Sequence, residues 1–225
     1  MSSAKDGPVR ADQLRIVPAN EASWEDVCAV FGAADPARCC CQRFKVVGWL
    51  WSETTEDERR ESLQSQTNCG KARARSTSGL VAYLGDEAVG WVAVEPRTAY
   101  PRLERLRMVW KDRPAEDKAD DDVWSVTCFV VRKGFRKRGI TYSLAAAAVD
   151  WAMANGARAI EGYAMDTPPG KDITWGEMHV GSRSVFEAAG FEEVTHPSLR
   201  RAIMRIDFTR PDTGGITSLA GGRYG

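Results

Sequence analysis

The sequence predicts one α+β domain with layered α/β character: a central mixed, mostly antiparallel sheet of about seven strands, flanked by about four helices. Three observations predict it. The chain has 225 residues, enough for one sizeable core and too few to demand two. Residues 123–165 read strand, basic glycine-bearing turn, alanine-rich helix, strand, which is one β-α-β unit and hence a parallel pair. The remaining strand candidates follow one another through short turns or lie at the ends, as antiparallel neighbours do. The domain is expected to span 13–208, with a flexible polar leader at 1–12 and a flexible glycine-rich tail at 209–225.

In chain order, residues 13–17 alternate apolar and polar and stop at Pro18, a short strand. Ser23 offers an N-cap to a helix that places Trp24, Val27, Cys28 and Phe31 on one face and closes at Gly32. Residues 33–52 are rich in aromatics and cysteines but show no period. Thr55 and Glu58 form a capping box for a highly charged surface helix running to about Gln66. Residues 80–84 and 88–94 pair as a hairpin across Gly85–Asp86. A long charged connection, 97–122, holds one amphipathic piece at Leu103, Leu106 and Val109; connections of this length often line a site. The run 123–131 is almost wholly apolar, as a strand buried on both faces must be. A helix follows to about Asn155, with Ile140, Leu144, Ala147 and Trp151 on one face, then a strand at 157–165. A Pro- and Gly-bearing loop at 166–177, a helix at 178–189 closed by Gly190, and an antiparallel pair at 191–194 and 202–208 complete the order.

Lys plus Arg and Asp plus Glu each number 31, so no overall field attracts a polyanion and nucleic acid is not an expected partner. The short basic run 132–138 is not interleaved with stacking aromatics. No apolar run reaches the length of a membrane span, and the polar start does not read as a secretory signal, so a cytoplasmic protein is the expectation. Cys28, Cys39, Cys40, Cys41, Cys69 and Cys128 lack metal-ligand spacing. Only His179 and His196 could complete a zinc set, so buried thiols are expected and no metal site.

The chemistry concentrates in Gly134-Phe135-Arg136-Lys137-Arg138-Gly139-Ile140-Thr141. A strand feeding a glycine turn that opens a helix presents free N–H groups and a positive dipole end to an anion, and Arg136, Lys137 and Arg138 add charge. The glycine spacing and Thr141 fit a nucleotide P-loop, but Ile140 stands where its lysine must be. The remaining phosphate reading is the R-x-x-G-x-[AG] turn that holds the pyrophosphate of coenzyme A.

Val131 to Thr141, V-R-K-G-F-R-K-R-G-I-T, resembles the V-x-P-x-Y-R-G-K-G-I-G turn of the GNAT (GCN5-related N-acetyltransferase) acyltransferases, with Arg136 and Gly139 at its most informative positions and Thr141 replacing a smaller residue. A second block, S-R-S-V-F-E-A-A-G-F at 182–191, resembles the family's later helix ending in Gly-Phe. The resemblance covers roughly 14–208. The blocks C-C-C-Q-R-F, V-W-S-V-T-C-F-V-V and I-E-G-Y-A-M-D are similar to those of a bacterial branch.

The resemblance implies the GNAT fold with a splayed parallel strand pair, and acetyl-CoA as cosubstrate. It implies a pantetheine arm bonded to main-chain groups of Phe129, Val130 and Val131, and a pyrophosphate held by Arg136, Lys137, Arg138, Gly139, Ile140 and Thr141. A primary amine of a small molecule or peptide would attack the thioester directly, with main-chain N–H groups steadying the oxyanion. Position 125, where some relatives carry a glutamate, is serine. Glu161, Glu95 and Tyr163 are the catalytic candidates for moving the protons. His179 falls near a position where relatives carry a cofactor-contacting asparagine. Phe186 stands where a tyrosine often protonates the departing thiolate. The partners implied are therefore a coenzyme A thioester and an amine acceptor. Dimers are common among such proteins, so a homodimer is an expectation too. A non-catalytic acyl-CoA-binding sensor or partner-binding module on the same fold is the alternative.

Overall fold

Period and turn chemistry translate directly into strands. The computed structural model describes residues 7–32, 35–167 and 174–208. β1 (Leu14–Pro18) leads to α1 (Trp24–Phe31), where the Ser23 hydroxyl accepts from the Asp26 N–H at 3.0 Å, the cap expected from sequence. α2 (Asp35–Cys39) and α3 (Glu56–Thr67) follow, the latter behind the Thr55–Glu58 capping box. β2 (Leu80–Leu84) and β3 (Glu87–Pro96) form the hairpin. Two short helices, α4 (Pro101–Arg105) and α5 (Arg107–Trp110), precede β4 (Val123–Val131). α6 (Ile140–Ala154) connects to β5 (Ala159–Met165), and α7 (Trp175–Met178), α8 (Arg183–Ala188), β6 (Glu192–Ser198) and β7 (Arg201–Asp207) end the described chain.

All seven strands lie in one sheet, ordered β1-β2-β3-β4-β5-β7-β6. Every neighbouring pair is antiparallel except β4–β5. α6 and α8 cover one face, burying Val92, Val126, Leu144, Ile160 and Phe186 in a shared core. The other face is covered by α1 over Trp91, Val81 and Val130, and by α4 and α5 over Tyr163 and Ile203. Burial of these side chains supplies the main driving force for the layering.

β4 and β5 pair only from Val123↔Ala159 to Val126↔Gly162, then part. A bulge helps: Val94 faces Val126 and Ala93 faces Cys128, so Thr127 is the extra residue on β4 and bends it locally. Into the opening runs the segment 179–182. Its His179 carbonyl accepts from the Phe129 N–H at 2.6 Å, and its Gly181 carbonyl accepts from the Met165 N–H at 2.9 Å.

That insertion corrects one expectation. Residues 178–189 do not form one helix, because at Gly181 the backbone turns through φ +94°, and the His179 and Gly181 carbonyls accept from β4 and β5 rather than along a helix. The amphipathic piece expected within the connection 97–122 forms α4 and α5. Buried Leu103 and Val109 seat α4 and α5 on the sheet. The stretch 33–52, where no period was legible, holds α2 and most of a 3-10 turn at Gly48–Glu53. The edge strand expected at 191–194 extends to Ser198. The tail 209–225, residues 1–6 of the expected leader and 168–173 of the expected loop lie outside the described residues. Closer to the domain, Val9 is buried and its N–H donates to the Arg138 carbonyl at 2.8 Å.

Candidate functional site

The turn after β4 combines three left-handed residues in six: Gly134, Lys137 and Gly139, at φ +95°, +61° and +87°. Alternation of right- and left-handed backbone gathers successive N–H groups around a concavity that suits an anion. Gly139 is the N-cap of α6, and the amides of Ile140 and Thr141 open the helix ahead of its first i→i−4 bonds. A side chain at 139 would find room, since its Cβ would lie 3.8 Å from the Val9 carbonyl. The constraint there is the backbone angle and the open approach to the amides, not crowding within the protein.

This turn forms one wall of a cleft of about 350 Å³. Phe129, Val131, Arg136, Lys137, Gly139, Ile140 and Thr141 all line it, so seven of the residues singled out from sequence meet at one place. The opposite wall is Gly181, Ser182 and Val185, with Phe135 and Tyr142 at the rim. Arg136 Nε donates to the Val131 carbonyl at 3.1 Å, which holds its guanidinium over the cleft. Arg132 N–H donates back to Val89 on β3. Successive amides alternate along a strand, so the Val131 N–H faces the opening instead.

Three predicted residues lie elsewhere. Arg138 turns away, donating from Nε to the Gly7 carbonyl at 2.8 Å. The Val130 side chain packs on the α1 face. His179 lines a second cleft, of about 170 Å³, on the far side of the sheet. Tyr163 lines that second cleft as well, together with Arg43, Phe44, Arg102 and Arg201. The segment 178–181 separates the two clefts: Met178 and Gly181 face the turn, while His179 and Val180 face the second cleft.

The proton-moving candidates share the face of the second cleft. Glu95, Ser125 and Glu161 stand in register across β3, β4 and β5. Ser125 Oγ and Tyr163 Oη are 2.9 Å apart. Burial, then the Glu161 carboxylate, pushes the Tyr163 phenol far above its ordinary value, so it stays protonated. Glu161, with no exposed surface, is bound on both oxygens by Arg113 and on Oε1 also by Arg205 at 2.6 Å, with Arg97 at 3.3 Å. Glu95 is different. Its only ion-pair partner among the described residues is Lys45, at 2.5 Å. Burial pushes its carboxyl above the ordinary range, and Lys45 works against that rise without cancelling it.

Phe186 is fully buried against β5: a Cβ on Gly162 would lie 2.2 Å from its ring. Phe129 and Phe191 meet it edge-on at 5.9 and 5.0 Å. The cysteines at 39–41 are buried thiols. Burial raises all three, Cys40 to about 12, which makes them poor nucleophiles at neutral pH.

Arg43, Arg102 and Arg201 escaped the sequence reading. They come from three distant segments with no shared motif, and only the fold collects them.

A family model described as "Acetyltransferase (GNAT) family" matches residues 44–167, from the segment before the hairpin through the turn, α6 and β5. No curated protein matches the chain by sequence. Among solved structures, one described as the crystal structure of an acetyltransferase is 21% identical, covers 86% of this chain and 98% of its own, and has a TM-score of 0.50. A GNAT-family acetyltransferase from Bacillus anthracis is 12% identical over 88% of this chain and 97% of its own, TM-score 0.48. A GCN5-related N-acetyltransferase from Kribbella flavida is 16% identical over 88% and 100%, TM-score 0.45. At these identities the likeness is one of fold.

Proposed function

Because the chain belongs to the GNAT acetyltransferase family, we propose that it is an enzyme transferring an acetyl group from acetyl-CoA to a primary amine in a ternary complex. The observation that carries the reading is the cleft of about 350 Å³ where the basic turn, the open end of α6 and the parted end of β4 meet. The residues fit the cosubstrate. Arg136, Lys137 and the amides at 139–141 would hold its diphosphate. Phe129 and Val131 would bond to the pantetheine arm through their main chain, which requires the His179 carbonyl to release the Phe129 N–H. When bound, acetyl-CoA supplies the activated acyl group.

The chain's own residues then manage protons. An ammonium must lose one before the amine can act. Glu95 takes it, through water, because its pKa is raised and one cation rather than three guanidiniums holds it. Glu161 has no oxygen to spare and serves as the fixed negative centre of an ion cluster. Tyr163 and Ser125 form a neutral hydroxyl pair lining the route. Phe186 has no proton to give, which also favours the second reading: a module that binds acyl-CoA without turnover.

Calorimetry with coenzyme A and thiol release from acetyl-CoA with a panel of amines decide. Arg136→Ala is expected to weaken coenzyme A binding by about tenfold, the worth of one charge-assisted contact. Gly139→Asp should abolish it, since it strains a left-handed position and sets a negative charge against the diphosphate. Unchanged affinity in both variants would refute the placement. Binding without thiol release on any amine would favour the non-catalytic module.

A further inference from the structure

Among the described residues, the second cleft is lined by three arginines and no carboxylate. Arg97, Arg113 and Arg205, on the same face, are all matched to Glu116 and Glu161. Arg43, Arg102 and Arg201, which line the cleft itself, have no carboxylate within ion-pair distance among the described residues. Among the described residues, the acid that influences Arg201 is Glu177, whose Oε1 is already 2.9 Å from Arg200. Arg43 Nε is buried without an acceptor, and its guanidinium sits 5.7 Å from the centre of the Trp51 ring. Arg102 gives one Nη1 bond to the Arg43 carbonyl at 3.1 Å, which leaves most of its fork to other acceptors. All three side chains are half-buried, so their guanidiniums lie partly withdrawn from water at the cleft wall, where an anion would meet less competition from solvent than at an open surface.

We propose that this cleft selects an acceptor amine that also bears a carboxylate, an amino-acid-like molecule, held through that carboxylate by Arg43 and Arg201 beside Phe44. The inference rests on the acetyltransferase reading and names its substrate class. A guanidinium fork matches a carboxylate in a bidentate way that neither an amide nor an ammonium can imitate. The position suits the chemistry: the cleft is lined by Tyr163, and by His179 and Val180 of the segment that divides it from the coenzyme A cleft. Its size, about 170 Å³, lies below the ~300–1,000 Å³ of drug-sized sites and suits one small headgroup. Phe44, Leu106 and Val109 give it an apolar wall, so an apolar or aromatic side group fits beside the charge. Burial pushes the Arg201 pKa down, with Glu177 opposing and Arg200 adding to the fall.

The test uses product-like probes, so that turnover is not required. N-acetyl-L-phenylalanine, N-acetyl-L-methionine and N-acetylglycine are titrated into the protein against their primary amides, with and without saturating coenzyme A. At least one acid should bind about tenfold tighter than its amide, and Arg201→Gln or Arg43→Gln should erase that preference. Acids that bind no better than amides throughout, or a preference that survives both substitutions, would overturn the assignment. The separate coenzyme A titration reports on the turn, so loss of the acetyltransferase reading and loss of the acceptor class give different results.

Discussion

Glu95 carries two opposed influences. Burial favours its neutral form, and Lys45 favours the ionised one; burial wins, so its pKa stands above 4.5. A base works ionised, so activity should rise with pH through that elevated value. Lys45→Met removes the favourable charge, so the acid limb of the kcat/KM profile is expected to move to higher pH. Glu95→Gln should remove the limb and lower kcat by about 10²–10⁴-fold. A limb that stays in place in both variants would assign the base to another group. Glu95 and Glu161 could not be ranked from sequence, because each is simply an acid on a strand. What separates them is the number of cations each meets, and those cations sit at 45, 97, 113 and 205. The turn residues were legible for the opposite reason: their chemistry is local, and the order strand, basic glycine turn, helix contains the whole arrangement.

The parted strands are held open by packing as much as by pairing. Gly162 on β5 leaves room for the Phe186 ring, and Gly181 leaves room for Phe129: a Cβ there would lie 2.8 Å from Phe129 and 3.0 Å from Phe186. Phe186→Ala would empty a fully enclosed site between α8 and β5, and is expected to cost about 3–5 kcal/mol, read as a fall in the denaturation midpoint. Gly181→Ala should also destabilise, because a left-handed backbone and a crowded Cβ act together. If Phe186→Ala costs less than about 1 kcal/mol, the ring is not the support described. Strands β2 to β5 were readable as elements because each is a run of apolar or alternating residues bounded by turns. The break at 178–182 was not. Its residues satisfy helical spacing, and the competing bonds come from Phe129 and Met165, strand positions that no local pattern connects to it.

Across the whole molecule, one buried ion cluster joins parts that are far apart in the chain. Arg97 follows β3, Arg113 and Glu116 belong to the connection before β4, Glu161 lies on β5 and Arg205 on β7. The cluster pins that connection, with α4 and α5, against the sheet and so fixes the wall of the second cleft. Burial alone would raise the Glu116 pKa, but Arg97, Arg205 and Arg113 overcome it and hold the carboxyl below its ordinary value. A depressed carboxyl stabilises the fold above the unfolded pKa, and that contribution fades as pH falls through the folded value. Glu116→Gln should therefore be less stable than the parent at pH 7, with the gap closing well below pH 4.5. Glu161 is the harsher case, since its loss leaves Arg97, Arg113 and Arg205 enclosed around a neutral amide. Glu161→Gln is expected to lose about 3–5 kcal/mol in denaturant unfolding. Because the cluster is buried, the loss should change little in high salt. A melt indistinguishable from the parent would mean that the guanidiniums find water or other acceptors, and that the wall of the second cleft does not depend on this centre.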